Sequence, residues 1–161
     1  MATPENASIP PAEMSEKMRA RMQKGAAPLM EPDETVIYGV FNLTMPAALY
    51  MAFAGIALLP YVIQKNSMAV VTQKNVYVFK IRVGTKAHRI LLKQPLGSVE
   101  AHFGGSGFPG RYVLIGDQKL WQPINRKAHN RARAMAAMAS GTAAVLEQPA
   151  DEATAGSETT P

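Results

Sequence analysis

The sequence predicts a mainly β fold closed by one C-terminal α-helix. Three observations lead there. Between Glu34 and Pro123 lie about seven short runs rich in Val, Ile, Tyr and Phe, broken by Gly, Pro and Asn. From Ile124 to Ala139 the apolar residues instead recur at i, i+4 and i+8, the period of a helix packed on one face. The 161 residues leave room for one domain with tails, and no internal repeat divides them.

Residues 1–33 predict a disordered start that contains a short amphipathic helix. Residues 1–10 are polar and hold Pro4 and Pro10. From Pro11 onward Met14, Met18 and Met22 recur every four residues. Lys17, Arg19, Arg21 and Lys24 lie off that stripe, and Gly25 is a reasonable stop. Such a helix orders against its own domain or a partner, or lies on a membrane interface.

The first strand is expected over Glu34–Asn42, ETVIYGVFN. After the apolar run that follows come Met68–Thr72 and Val76–Val83, joined at Gln73-Lys74-Asn75 as a hairpin. In the second arm Tyr77, Phe79, Ile81 and Val83 alternate with Lys80 and Arg82, which predicts one buried and one wet face. Lys86–Lys93 is the next strand, with His88, Ile90 and Leu92 on one side. Ser98–Phe103 is a shorter one, and Gly104–Gly110 is a loop. RYVLI and KLWQP flank Gly116-Asp117-Gln118 as the last hairpin. Asn125 caps the closing helix and Gly141 ends it. Ile124, Ala128, Ala132, Met135, Ala136 and Ala139 form its inner face, with Arg126, Lys127, Arg131 and Arg133 on the rest; Trp121 is expected beneath it. Residues 141–161 predict a disordered acidic tail.

The 21 residues Leu43–Ile63 carry no charge. They predict an apolar helix inserted after the first strand. Pro60 would clash with the carbonyl four residues earlier, so the uninterrupted piece is Ala47–Leu59. Its 13 residues make about 20 Å of helix, short of a hydrocarbon core of about 30 Å. A single crossing would also separate the first strand from its sheet. Yet the run has no polar face, so three placements stay open: membrane contact, burial in the domain, or a dimer interface. Leu49, Phe53, Ile56, Leu59 and Tyr61 are its candidate contact residues.

A meander of this length followed by one helix resembles the small bacterial pleckstrin-homology-like (PH-like) domains. MAVVTQKNVYVFK is similar to their hairpin, LKQPLGSVEAHF to the start of their next strand, and RKAHNRARAMAAMA to their closing helix. The likeness covers residues 34–140. It implies an antiparallel barrel of about seven strands capped by the helix, and a binding or scaffold role. The headgroup-binding members use a basic loop between their first two strands. The apolar run fills that interval, so no headgroup site is carried over.

The charge is unevenly spread. Residues 64–133 hold thirteen bases against Glu100 and Asp117, a net +11, while 134–161 hold four acids and no base. Such a segment attracts polyanions. Lys65, Lys74, Lys80, Arg82, Lys86 and Arg89 are the candidate anion- or lipid-facing residues. Catalysis has no visible machinery. There is no cysteine, His88, His102 and His129 lie in different elements, and GGSGFPG lacks the Lys of a phosphate loop. No catalytic residue, cofactor or metal is therefore expected. The expected role is a non-enzymatic module at the cytoplasmic face of a membrane, with an anionic lipid surface or a protein as partner. No cleavable signal is visible at the N-terminus. The alternatives are a cytoplasmic homo-oligomer with the run at its interface and, ranked last, a nucleic-acid binder.

Overall fold

The computed structural model describes residues 14–43, 46, 49, 67–82, 84–106 and 108–141. Helix α1 spans Glu16–Ala26. Ser15 caps it, its Oγ accepting the Met18 N–H, and Glu16 and Lys24 sit at the ends where the helix dipole favours their charges. The Met stripe is turned inward: Met22 is fully buried and Met14 nearly so. A 3-10 turn, Ala27–Leu29, follows.

Strands β1 (Tyr38–Asn42), β2 (Ser67–Val71), β3 (Asn75–Ile81) and β4 (Ala87–Pro95) form one antiparallel sheet in sequence order. Strands β5 (Ala101–Gly105), β6 (Arg111–Ile115) and β7 (Gln118–Trp121) form a second. Helix α2, Arg126–Ala139, packs on β5, β6 and β1. The expected mainly β chain with a closing helix is thus present. Among the described residues, however, the strands make two sheets and not one closed barrel. The sheets meet where the Leu43 N–H donates to the Trp121 carbonyl at 2.8 Å, a single antiparallel bridge.

Several local expectations are corrected. The first strand begins at Tyr38, because Glu34 and Thr35 bond to side chains across the fold. In β3, Val76 and Val78 are as buried as Tyr77 and Phe79, so both faces are covered up to Lys80. Gly39 places α1 on the Tyr77 side: a Cβ there would lie 2.6 Å from Met22 Sδ, and Gly39 shares its face with Val70 and Tyr77. His88, Ile90 and Leu92 do not share a side. Val78 pairs with Leu92 but its neighbour Phe79 pairs with Ile90, and Lys80 with Arg89 but Ile81 with Ala87. Leu91 and His88 are therefore extra residues, each reversing the alternation of β4. Val83 lies outside the described residues.

In α2, Asn125 caps as expected, its Oδ1 accepting the Lys127 N–H at 2.8 Å. Gly141 ends the helix at φ 71°, a conformation glycine adopts without strain. Ala132, Met135, Ala136 and Ala139 are buried, but Ile124 precedes the cap and is 70 % exposed. Trp121 is not beneath the helix. Phe103, Val113 and Leu120 are register partners facing α2, where Phe103 meets the His129 ring at 5.8 Å. Trp121, one residue on, is on the opposite face with its partner Tyr112.

Gly25 gives a direct test of how α1 docks. A Cβ there would lie 2.0 Å from the Thr85 carbonyl oxygen. Gly25→Ala gains about 1 kcal/mol of helix propensity. It forces the helix off a backbone atom that cannot turn aside, at a cost of typically 1–3 kcal/mol or more. A net fall in the urea midpoint is expected; an unchanged or raised midpoint would mean that α1 does not dock at this turn.

Candidate functional site

In an antiparallel sheet, alternate strand ends coincide. The C-terminal ends of β1 and β3 and the N-terminal ends of β2 and β4 form one end of the first sheet, with the register row Asn42, Ser67, Lys80, Arg89. The chain leaves this end at Leu43 and returns to it at Ser67. The β3–β4 connection at the same end carries Arg82 and Lys86. Arg82, Lys86 and Arg89 are exposed and Lys80 is half-buried. Among the described residues the ion pairs are Lys74–Asp33 and Lys93–Glu31, so these four cations have no carboxylate partner.

The sequence groups six bases; the structure describes five of them and divides those between two ends of the sheet. Lys74 is in the β2–β3 turn at the opposite end, bound to Asp33. Lys65 lies outside the described residues, as do Phe53, Ile56, Leu59 and Tyr61, while Leu49 is exposed.

The β1–β2 pairing also limits what the apolar connection can do. Asn42 and Ser67, the residues that flank the 24-residue connection 43–66, are cross-strand partners and lie side by side. A single membrane crossing would put them on opposite sides. Two helical crossings would need about 40 apolar residues. Among the described residues no helix is long and apolar enough to cross a membrane.

Scans of the chain against family models, curated proteins and solved structures find no match.

A second polar cluster lies at the far end of the sheet. Glu34 is 3 % exposed, and its carboxylate accepts from Thr72 Oγ1 at 2.9 Å, Asn75 Nδ2 at 2.6 Å and the Tyr77 hydroxyl. Burial pushes the carboxyl up, but the bonds from Tyr77, Asn75 and Thr72 together outweigh it and hold Glu34 below its ordinary range. Tyr77 is pushed up, by burial first and then by the Glu34 carboxylate, so it keeps its donor proton. Every donor is turned onto one carboxylate, which makes this an anchor for the segment before β1. Sequence reasoning missed it. The available signal was polar Thr72 and Asn75 beside the buried-type run that follows them.

A cavity of about 280 Å³ lies between α1, the β1 edge and α2, lined by Met18, Val40, Phe41, Gln122, Lys127 and Arg131 among others. It is at the small end for a ligand site, typically 300–1,000 Å³. Arg131 donates to Met18 Sδ at 3.6 Å, and burial pushes the nearby Tyr38 hydroxyl up to about 12, with Arg131 opposing the shift. Among the described residues no three His, Asp or Glu are placed to hold a metal. His88 is on β4, His102 on β5 and His129 on α2.

Proposed function

We propose that the chain is a non-enzymatic PH-like binding module that docks on the anionic cytoplasmic face of a membrane through one end of its first sheet. The carrying observation is coincidence. The chain leaves the sheet where the apolar run begins, at Leu43, and re-enters it at Ser67, at the end where Lys80, Arg82, Lys86 and Arg89 have no carboxylate partner among the described residues. The apolar segment would lie in one leaflet, since its flanks are on one side. Basic residues at the surface of an anionic leaflet each add about 1 kcal/mol of attraction. Four antiparallel strands, then three, then a helix support the PH-like part of this reading, with MAVVTQKNVYVFK forming β2, its turn and β3.

Vesicle flotation tests the proposal. The full chain should rise with vesicles containing phosphatidylglycerol at low salt, and less so as salt shortens the screening length. A chain that stays in the dense fraction with those vesicles at low salt would sink the reading. If it also elutes as a discrete oligomer without detergent, the apolar run belongs to a subunit interface.

A further inference from the structure

The second sheet has one face turned away from the core. Register puts Phe103, Val113 and Leu120 inward, and His102, Tyr112, Lys119 and Trp121 outward. The outward groups form one cluster. Tyr112 and Trp121 meet edge to face, with ring centroids 5.3 Å apart. Lys119 Nζ lies 4.5 Å from the Tyr112 centroid and 5.4 Å from that of Trp121. His102 meets Tyr112 at 6.4 Å. Trp121 is also the residue whose carbonyl holds Leu43, where the apolar run leaves β1.

We propose that this outer face, with Trp121, Tyr112 and Lys119, is a second contact with the lipid interface, seated at the level of the headgroups beside the departing run. The proposal rests on the membrane-docking reading and adds to it a second surface on the other sheet. Three features favour lipid as the occupant. Trp and Tyr rings are amphipathic and gather at the boundary between headgroups and acyl chains. Lys119 holds its ammonium over both rings, and no described carboxylate pairs with it, so this face carries a positive charge that complements an anionic headgroup. Asp117, the carboxylate of the β6–β7 turn, lies at the far end of β7 and accepts from Gln118. Finally, the cluster is bonded through the backbone to the first residue of the apolar run, so a leaflet that receives the run comes to the edge of this face.

Trp121 is the only tryptophan in the chain, so its emission reports this position alone. The full chain is floated with anionic vesicles whose acyl chains are brominated near the headgroup, and with unbrominated ones. Floated chain should shift its emission to the blue and lose most of its intensity on the brominated lipid. Lys119→Glu should lower the floated fraction. A floated chain whose emission is the same on both lipids overturns this contact and leaves membrane docking standing. A chain that does not float overturns both. The quenching measurement uses the unaltered protein, so it stands whether or not Lys119→Glu folds.

Discussion

Replacing Glu34 with Ala should lower the unfolding free energy by about 3 kcal/mol. The side chain is buried and serves three donors from Thr72, Asn75 and Tyr77. Thr72 keeps a second acceptor in the Asn75 carbonyl, but Asn75 Nδ2 and the Tyr77 hydroxyl lose the one that they have among the described residues. A buried donor left without a partner costs about 1–3 kcal/mol, and neighbouring losses do not add in full. Glu34→Gln keeps an acceptor in place and should cost less. The pH dependence has a definite sign. The folded carboxyl titrates below its ordinary value of 4.5, so its contribution is present above that value and is lost as the pH falls through the folded-state value. The gap between wild type and Glu34→Gln should therefore close on acidification below about pH 4.5 and stay constant between pH 6 and 8. Urea titrations at several pH values measure both effects; a gap that widens on acidification would mean that Glu34 is folded in its protonated form.

The reason Glu34 escaped a reading of the sequence is its distance along the chain. Its partners are 38 to 43 residues away, and no local pattern marks a polar residue for burial. Some local signals held, though the strand expected over Ser98–Phe103 is β5, Ala101–Gly105, and takes in two glycines of the expected loop. RYVLI became β6 residue for residue, and Asn125 and Gly141 bound α2 because a cap and a left-handed stop are written in neighbouring residues. Strand alternation was weaker evidence. In β4 two extra residues reverse the sides, and a bulge leaves no mark in composition. In KLWQP two apolar residues adjoin, so nothing in the order chose Leu120 over Trp121 for the core. Val76 and Val78 offered a second apolar face of β3, but the polar residues after them concealed it. As for the site, the bases were visible, and the division of the five described ones between two ends of a sheet was not. Lys74 and Lys80 are separated by the length of β3, which only the fold turns into opposite ends.

That division makes the second large prediction specific. Changing Lys80, Arg82, Lys86 and Arg89 together to Gln should weaken binding to anionic vesicles by about 10²–10³-fold at low salt. Four residues at about 1 kcal/mol each give that range, since 1.4 kcal/mol is a factor of ten. The half-buried position of Lys80 keeps the expected loss below a full sum. Stability should change little, because Arg82, Lys86 and Arg89 are exposed and none of the four is in an ion pair among the described residues. Lys74→Gln is the matched control: it also removes a positive charge, but at the opposite end, where that charge already faces Asp33. If attraction depended on net charge alone, Lys74→Gln would cost about as much as any one of the four. If it depends on which end meets the lipid, Lys74→Gln should bind as wild type does and the four-residue variant should not. Salt separates the remaining contribution. Screening removes the part carried by exposed charges, so the two proteins should converge as ionic strength rises, and the binding left at high salt is the share of the apolar run. Convergence to zero would assign the attachment to charge, and a four-residue variant that binds as wild type at low salt would assign it to the run.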